Sequence, residues 1–157
     1  MASKSQSVVE ALKTTLETTQ TGIVYEPELV QPILYWPDET AIPVGVDTLY
    51  LISVGEESGR QKQSCDVTER LDVAILGLRR YTSASEDPFK EDPARIFVAT
   101  DISKDIKIKL EADPKLGAVA LDALDGVQSV KYDYYLPKWV IAEVRTSVLF
   151  RRDKDTR

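Results

Sequence analysis

From Val127 to Arg152 the chain reads VQSVKYDYYLPKWVIAEVRTSVLFRR, and apolar side chains recur there at every second residue. A period of two is the geometry of a β-strand, whose successive side chains point to opposite faces. Val130, Tyr132 and Tyr134 share one side of the first run. After the Leu136-Pro137-Lys138 turn, Val140, Ala142, Val144, Thr146, Val148 and Phe150 share one side of the second, with Ile141, Glu143, Arg145, Ser147, Leu149 and Arg151 opposite. The stretch predicts a hairpin with one buried and one mixed face, and it carries no catalytic motif.

A chain of 157 residues is the size of one domain and long enough to bury a core without staples. A single domain over residues 1–157 is expected, with a charged C-terminal tail from about residue 151. The single cysteine, Cys65, has no internal partner, so no disulfide scaffold is expected. No apolar run approaches the ~18 residues needed to cross a bilayer, and the opening MASKSQSVVEALK lacks a signal-peptide core. Synthesis in the cytosol and no membrane role are therefore expected. Twenty basic against twenty-six acidic residues leave a net charge of −6, which opposes a general grip on nucleic-acid phosphates. The chain has no histidine, so the commonest general base and the commonest zinc ligand are both missing.

Along the chain, Ser7 and Glu10 have capping-box spacing, and Val8, Val9, Leu12 and Leu16 share a face. A first helix is predicted from Ser7 to Thr19, with Gly22 as its left-handed stop. Between Gly22 and Val46 periodicity is lost, and four of the eight prolines fall here (Pro27, Pro32, Pro37, Pro43). Long strands are excluded, leaving short edge pieces such as Ile33 to Trp36. Within this stretch Tyr35 and Trp36 are either a partner-binding patch or the cover of a core edge. Asp47 to Val54 reads as an internal strand and Cys65 to Arg80 as its partner. The polar Glu56 to Ser64 is expected to be the hairpin tip, and a bulge is expected near Gly77.

Thr82 to Asp92 reads as a loop, and Asp92-Pro93 as the start of a second helix running to about Ala112, where Asp113-Pro114 ends it. Ala99, Ile102, Ile106 and Leu110 form its inward face, while Phe97 and Ile108 point away. The alternative makes Arg95 to Thr100 a strand and only Asp101 onward helical. Leu116 to Leu124 is apolar and short enough for one or two helical turns, and Asp125-Gly126 should turn the chain into the closing hairpin. The predicted order is α, irregular edge, β, β, α, β, β. The fold class is α+β, a mainly antiparallel β-sheet with two helices packed on one face.

Motifs for chemistry are scarce. No phosphate-cradling glycine loop occurs. Cys65 has no histidine to activate it. The paired acids at Asp38-Glu39, Glu56-Glu57, Glu86-Asp87 and Glu91-Asp92 fall in polar loops, where carboxylates are ordinarily solvated. Arg79-Arg80 and Arg151-Arg152 are tight arginine pairs, able to meet acidic partners or to flank strand ends as solvated charge. Neither an enzyme activity nor a cofactor is expected.

The closing half resembles that of bacteriophage tail terminator (tail completion) proteins. In that family a helix ends in a D-P-x-L-G element, matched by Asp113, Pro114, Leu116 and Gly117; a strand carries a Y-D-Y-like pattern, matched by Tyr132-Asp133-Tyr134; and the last strand alternates Val, Ala and Arg, matched from Ala142 to Arg151. The opening helix and the proline-containing extended stretch also fit. About forty residues match in wording and most of the chain in element order. One position departs: Ala118 follows Gly117 where relatives often carry a second glycine.

This resemblance implies a structural virion protein at the head-proximal end of the tail, assembled in the host cytoplasm. It would form a homo-oligomeric ring, a hexamer, that stops polymerisation of the tail tube protein and docks the head connector. Genomic DNA would pass through the lumen without specific binding, past a wall richer in acids than in bases. Phe97, Ile108, Glu56, Glu57, Arg60, Lys62, Tyr35, Trp36, Arg79 and Arg80 are the residues expected at protein interfaces. A head–tail joining (neck) protein of related fold, a small adaptor and a small enzyme are the other readings.

Overall fold

A computed structural model describes residues 4–33, 39–63, 66–81, 93–117, 125–128 and 138–153 of the chain. Its elements are α1 (Lys4–Glu17), β1 (Leu29–Ile33), a single 3-10 turn (Glu39–Ala41), β2 (Thr48–Gln63), β3 (Asp66–Arg80), α2 (Pro93–Ala112), β4 (Asp125–Gln128) and β5 (Trp139–Asp153). The sheet order is β1-β2-β3-β5-β4. The pairs β2–β3, β3–β5 and β5–β4 are antiparallel, and β1 runs parallel to β2. The expected α+β class, with its mainly antiparallel sheet, is what forms.

The period-two pattern of the closing strand decides where the core lies. Val140, Ala142, Val144, Val148 and Phe150 are all buried. They join Tyr50 and Ile52 of β2 and Leu71, Val73 and Ile75 of β3 in one cluster with Val8, Leu12 and Leu16 of α1 and Ala99, Ile102, Ile106 and Leu110 of α2. Both helices therefore cover the same face of the sheet. The inward face expected of α2 is the observed one, and Arg95 to Thr100 is helical rather than a strand. Each fully buried Leu, Ile or Val contributes roughly 1.5–3 kcal/mol relative to exposure.

Parallel neighbours need a crossover. The segment joining β1 to β2 supplies Ile42 to a second cluster with Leu49, Leu51, Leu76, Leu78, Trp139 and Ile141. These strand residues have the opposite parity to those under the helices, so the crossover shields one end of the other sheet face. Beyond that end the face turns polar. Ser147 Oγ donates to Asp72 (2.7 Å), Arg70 Nε donates to the same carboxylate (3.1 Å), and Arg145 pairs with Glu143. This is the mixed face of β5.

Several boundaries differ from expectation. Helix α1 begins at Lys4 and ends at Glu17, so Ser7 lies inside it; the hydroxyls of Thr14 and Thr18 bond back to the carbonyls of Glu10 and Thr14. Gly22 is left-handed (φ 89°), but within the connection and not as the stop. The edge strand described is Leu29–Ile33, and Pro32 is tolerated in it because it is an edge; beyond Ile33, the expected piece to Trp36 lies outside the described residues. Most of Glu56 to Ser64 is not a loop: Glu56 to Gln63 belong to β2, paired with β3 as far as Gln63 and Asp66. The run Glu56 to Gln63 holds only polar residues and glycine, and this disguised the strand.

The expected bulge near Gly77 is absent, and the register shifts fall on β2, between Val54 and Glu57 and between Gly59 and Gln61. Asp125 and Gly126 are in β4, where Asp125 pairs with Ser147 and Gln128 with Arg145 of β5, rather than in a turn. β5 continues in register with β3 to Asp153, past the expected start of the tail. Tyr132-Asp133-Tyr134, Val130 and most of Leu116 to Leu124 lie outside the described residues.

Candidate functional site

The expected interface residues do not converge. Thr48 pairs with Arg79, and Gln63 with Asp66, so Arg79-Arg80 and the Glu56 to Lys62 segment occupy opposite ends of one long hairpin. Arg79 is turned inward: its guanidinium donates to Thr48 Oγ1 (2.7 Å) and lies 4.8 Å from the centre of the Tyr25 ring. Arg80 is exposed but engaged, donating to Asp47 (3.2 Å) and to the Val46 carbonyl (3.3 Å), and lying 4.7 Å over the Trp139 ring. Cation–π and ion-pair contacts of this kind fasten strand ends together. Glu56, Glu57, Arg60 and Lys62 lie in β2 and not in a loop; their side chains, with Tyr35 and Trp36, lie outside the described residues.

Phe97 and Ile108 behave differently from each other. Phe97 is 67% exposed, next to the 39% exposed Ile96, whereas Ile108 is half-buried against its own chain. Two residues before Phe97, Arg95 lies 5.7 Å over the Tyr81 ring and donates to the Trp139 carbonyl (3.3 Å). The exposed apolar part of α2 thus stands at the same end of the sheet as Arg79 and Arg80.

The densest group of ionisable side chains lies elsewhere, where α2 meets the connection between α1 and β1. Asp105 is buried and accepts two backbone amides, Val24 on Oδ1 (2.9 Å) and Tyr25 on Oδ2 (2.8 Å). One turn later Lys109, fully buried, donates to the Thr18 carbonyl (2.6 Å) and to Glu26 (2.7 Å), whose other oxygen accepts the Gln20 amide (3.3 Å). Tyr50 of β2 completes the group, its hydroxyl donating to the Tyr25 carbonyl (3.3 Å).

Charge in this group is strained by burial. Loss of water raises the Asp105 carboxyl above its ordinary value and outweighs the lowering by the two amides, with Asp101 and Glu26 adding to the rise. Burial, then Asp105 and Glu26, push the Tyr50 phenol well above its ordinary value. On the other face Asp72 is held below the usual carboxylate range by its bonds from Ser147 and Arg70.

Sequence reasoning missed this group, yet a signal existed. Asp105 and Lys109 each stand three residues after an inward isoleucine, Ile102 and Ile106, so helical geometry puts both at the margin of the buried face. What the group does chemically is bind backbone: five of its contacts go to main-chain atoms of residues 18–25. Among the described residues no three acidic or cysteine side chains gather closely enough to hold a metal ion.

The element that ends α2 is equally structural. Asp113 accepts the Leu116 amide on its carbonyl (3.0 Å) and the Gly117 amide on its side chain (3.0 Å). Leu116 (φ 50°) and Gly117 (φ 64°) are both left-handed, and Leu116 is buried in the core. No protein-family model matches this sequence, and no curated protein matches it.

Proposed function

We propose that this chain is a structural virion protein that closes into a homo-oligomeric ring of six on the end of a phage tail tube. The ring stops tube polymerisation and offers its other side to the head connector, while DNA passes through without being held. The observation that carries this reading is the Asp113-Pro114-Lys115-Leu116-Gly117 helix stop. Its left-handed Leu116 and Gly117 and the two bonds to Asp113 support a built turn at the position of the D-P-x-L-G element.

Two further features support a role in assembly. Phe97 presents a large apolar surface to solvent, of the kind a neighbouring subunit covers. The paired outer part of β2 and β3, from Glu57 and Leu71 to Gln63 and Asp66, supplies a polar arm for contact with the tube or the adjoining ring. A heterologous contact repeated by rotation closes such a ring. The net charge of −6 per chain suits an acidic lumen that does not trap phosphates.

Native mass spectrometry with electron microscopy of tails tests the reading. A six-fold particle that binds tube ends and restores normal tail length in a complementation assay is expected. A chain that stays monomeric both alone and with tube protein, and leaves tail length unchanged, would refute it.

A further inference from the structure

Residues 18–28 join α1 to β1 without helix or strand of their own, and none of them is buried. Main-chain pairing is found at the two ends, where the Thr18 amide donates to the Thr14 carbonyl (3.1 Å) and the Glu28 amide to that of Thr48 (2.9 Å). Between these ends the segment is held by side chains. Asp105 takes the Val24 and Tyr25 amides, Glu26 takes the Gln20 amide, and Lys109 ties both Glu26 and the Thr18 carbonyl to α2. The Tyr25 carbonyl accepts from Tyr50, and the half-buried Tyr25 ring lies under Arg79. Gly22 (φ 89°) stands in open space, so the chain can pivot there without displacing a neighbour.

We propose that residues 18–28 are a releasable strap, which lifts from α2 as one unit while the core stays folded and so uncovers the ammonium of Lys109. The strap rests mainly on polar contacts. Tyr25 packs against the core cluster and Val24 is exposed, whereas the elements at either end bury Val8, Leu12 and Leu16 of α1 and Val30 of β1. Each polar contact replaces one with water, and segments poor in buried apolar groups open at a lower cost than the whole fold. The two latches are also joined mechanically. Asp105 and Lys109 stand one turn apart on one helix, and their partners Tyr25 and Glu26 are consecutive in the strap, so one cannot lift without drawing the other. A competitor for either side chain therefore releases both, since such coupling is reciprocal.

The test is amide hydrogen exchange by NMR on the full chain at fixed pH, paired with lysine acylation by an N-hydroxysuccinimide ester read by mass spectrometry. In the unmodified protein the Val24 and Tyr25 amides should share one protection factor, at least about tenfold below that of Val73 in the core. It should respond weakly to urea, since lifting a short strap exposes little surface. The fully buried Lys109 should acylate more slowly than the solvent-reached Lys13 by about that same factor, because both reactions wait for one opening. Lys109→Met leaves Asp105 in place, yet it should speed exchange at Val24 and Tyr25 by about tenfold or more. If that variant fails to fold, the measurements on the unmodified chain decide alone. Exchange at Val24 and Tyr25 that follows Val73 across urea, acylation of Lys109 only at the rate of Val73 opening, or no response of the two amides to Lys109→Met overturns the proposal.

Discussion

Gly77 on β3 and Ile102 on α2 meet so closely that a methyl group on the glycine would lie 2.1 Å from Ile102 Cγ2 and 3.1 Å from Ile106 Cδ1. The glycine is here for approach, since it lets the helix lie directly on the strand. Ile102 is β-branched and fully buried, so its methyl cannot swing aside. Gly77→Ala should therefore lift α2 and destabilise the fold by about 1–3 kcal/mol in urea unfolding. Combining it with Ile102→Ala should cost less than the two single changes added together. Strict additivity would mean that the contact is relieved by other means.

The Lys109–Glu26 pair is uneven: the lysine side chain is 0% exposed and the glutamate 38%. Removing the lysine leaves a carboxylate that water can reach, whereas removing the glutamate strands a buried ammonium on the Thr18 carbonyl alone. Glu26→Ala should cost about 3–5 kcal/mol and Lys109→Met about 1–3, measured by chemical denaturation at neutral pH. The reverse order would contradict the burial argument.

Tyr50 sets an alkaline limit. Its folded-state pKa lies above the ordinary value, so its contribution is complete below about pH 10, where the unfolded phenol begins to ionise, and is lost as the pH rises through the folded value. Tyr50→Phe should lose about 1 kcal/mol at neutral pH with the bond to Tyr25. It should then decline less steeply than the unmodified protein above about pH 10. Parallel declines in the two urea midpoints would show that other groups govern alkaline stability.

Phe97 separates assembly from folding. As an exposed helical side chain it should change monomer stability by no more than about 0.5 kcal/mol when replaced. Phe97→Asp should leave far-ultraviolet circular dichroism unchanged while shifting light-scattering mass from ring to monomer. Loss of the helical signal would make Phe97 part of the fold and remove it from the proposed contact.

What the sequence made legible was burial. The alternation of Val140 to Phe150 and the spacing of Ala99 to Leu110 named the core because both patterns are imposed directly by water. The outer half of β2 was read as a loop because Glu56 to Gln63 are all polar residues or glycine, so no hydrophobic signal marks the pairing that extends the hairpin. The parallel edge strand was hidden by Pro32, which argues against a strand wherever both edges must donate. Among the interface residues, Phe97 was identifiable from its helical angle, but the engagement of Arg79 and Arg80 with Tyr25, Thr48, Asp47 and Trp139 depends on contacts between distant segments. The same distance concealed Asp105, whose two partners lie on the other side of the sheet's first three strands in the sequence.

The order of the strands also has a consequence for synthesis. Strand β5 lies between β3 and β4 and is paired with β3 along its whole length, so an interior place in the sheet is filled by a strand made after β1 to β4. Until it arrives, β3 has an open side, and Leu71, Val73 and Ile75 lack Val144 and Val148 as neighbours in the core. Helices α1 and α2 can form earlier but have only part of a floor to rest on. Closing the sheet thereby waits for a strand far along the sequence from β3, with the slow, long-range pairing that this entails.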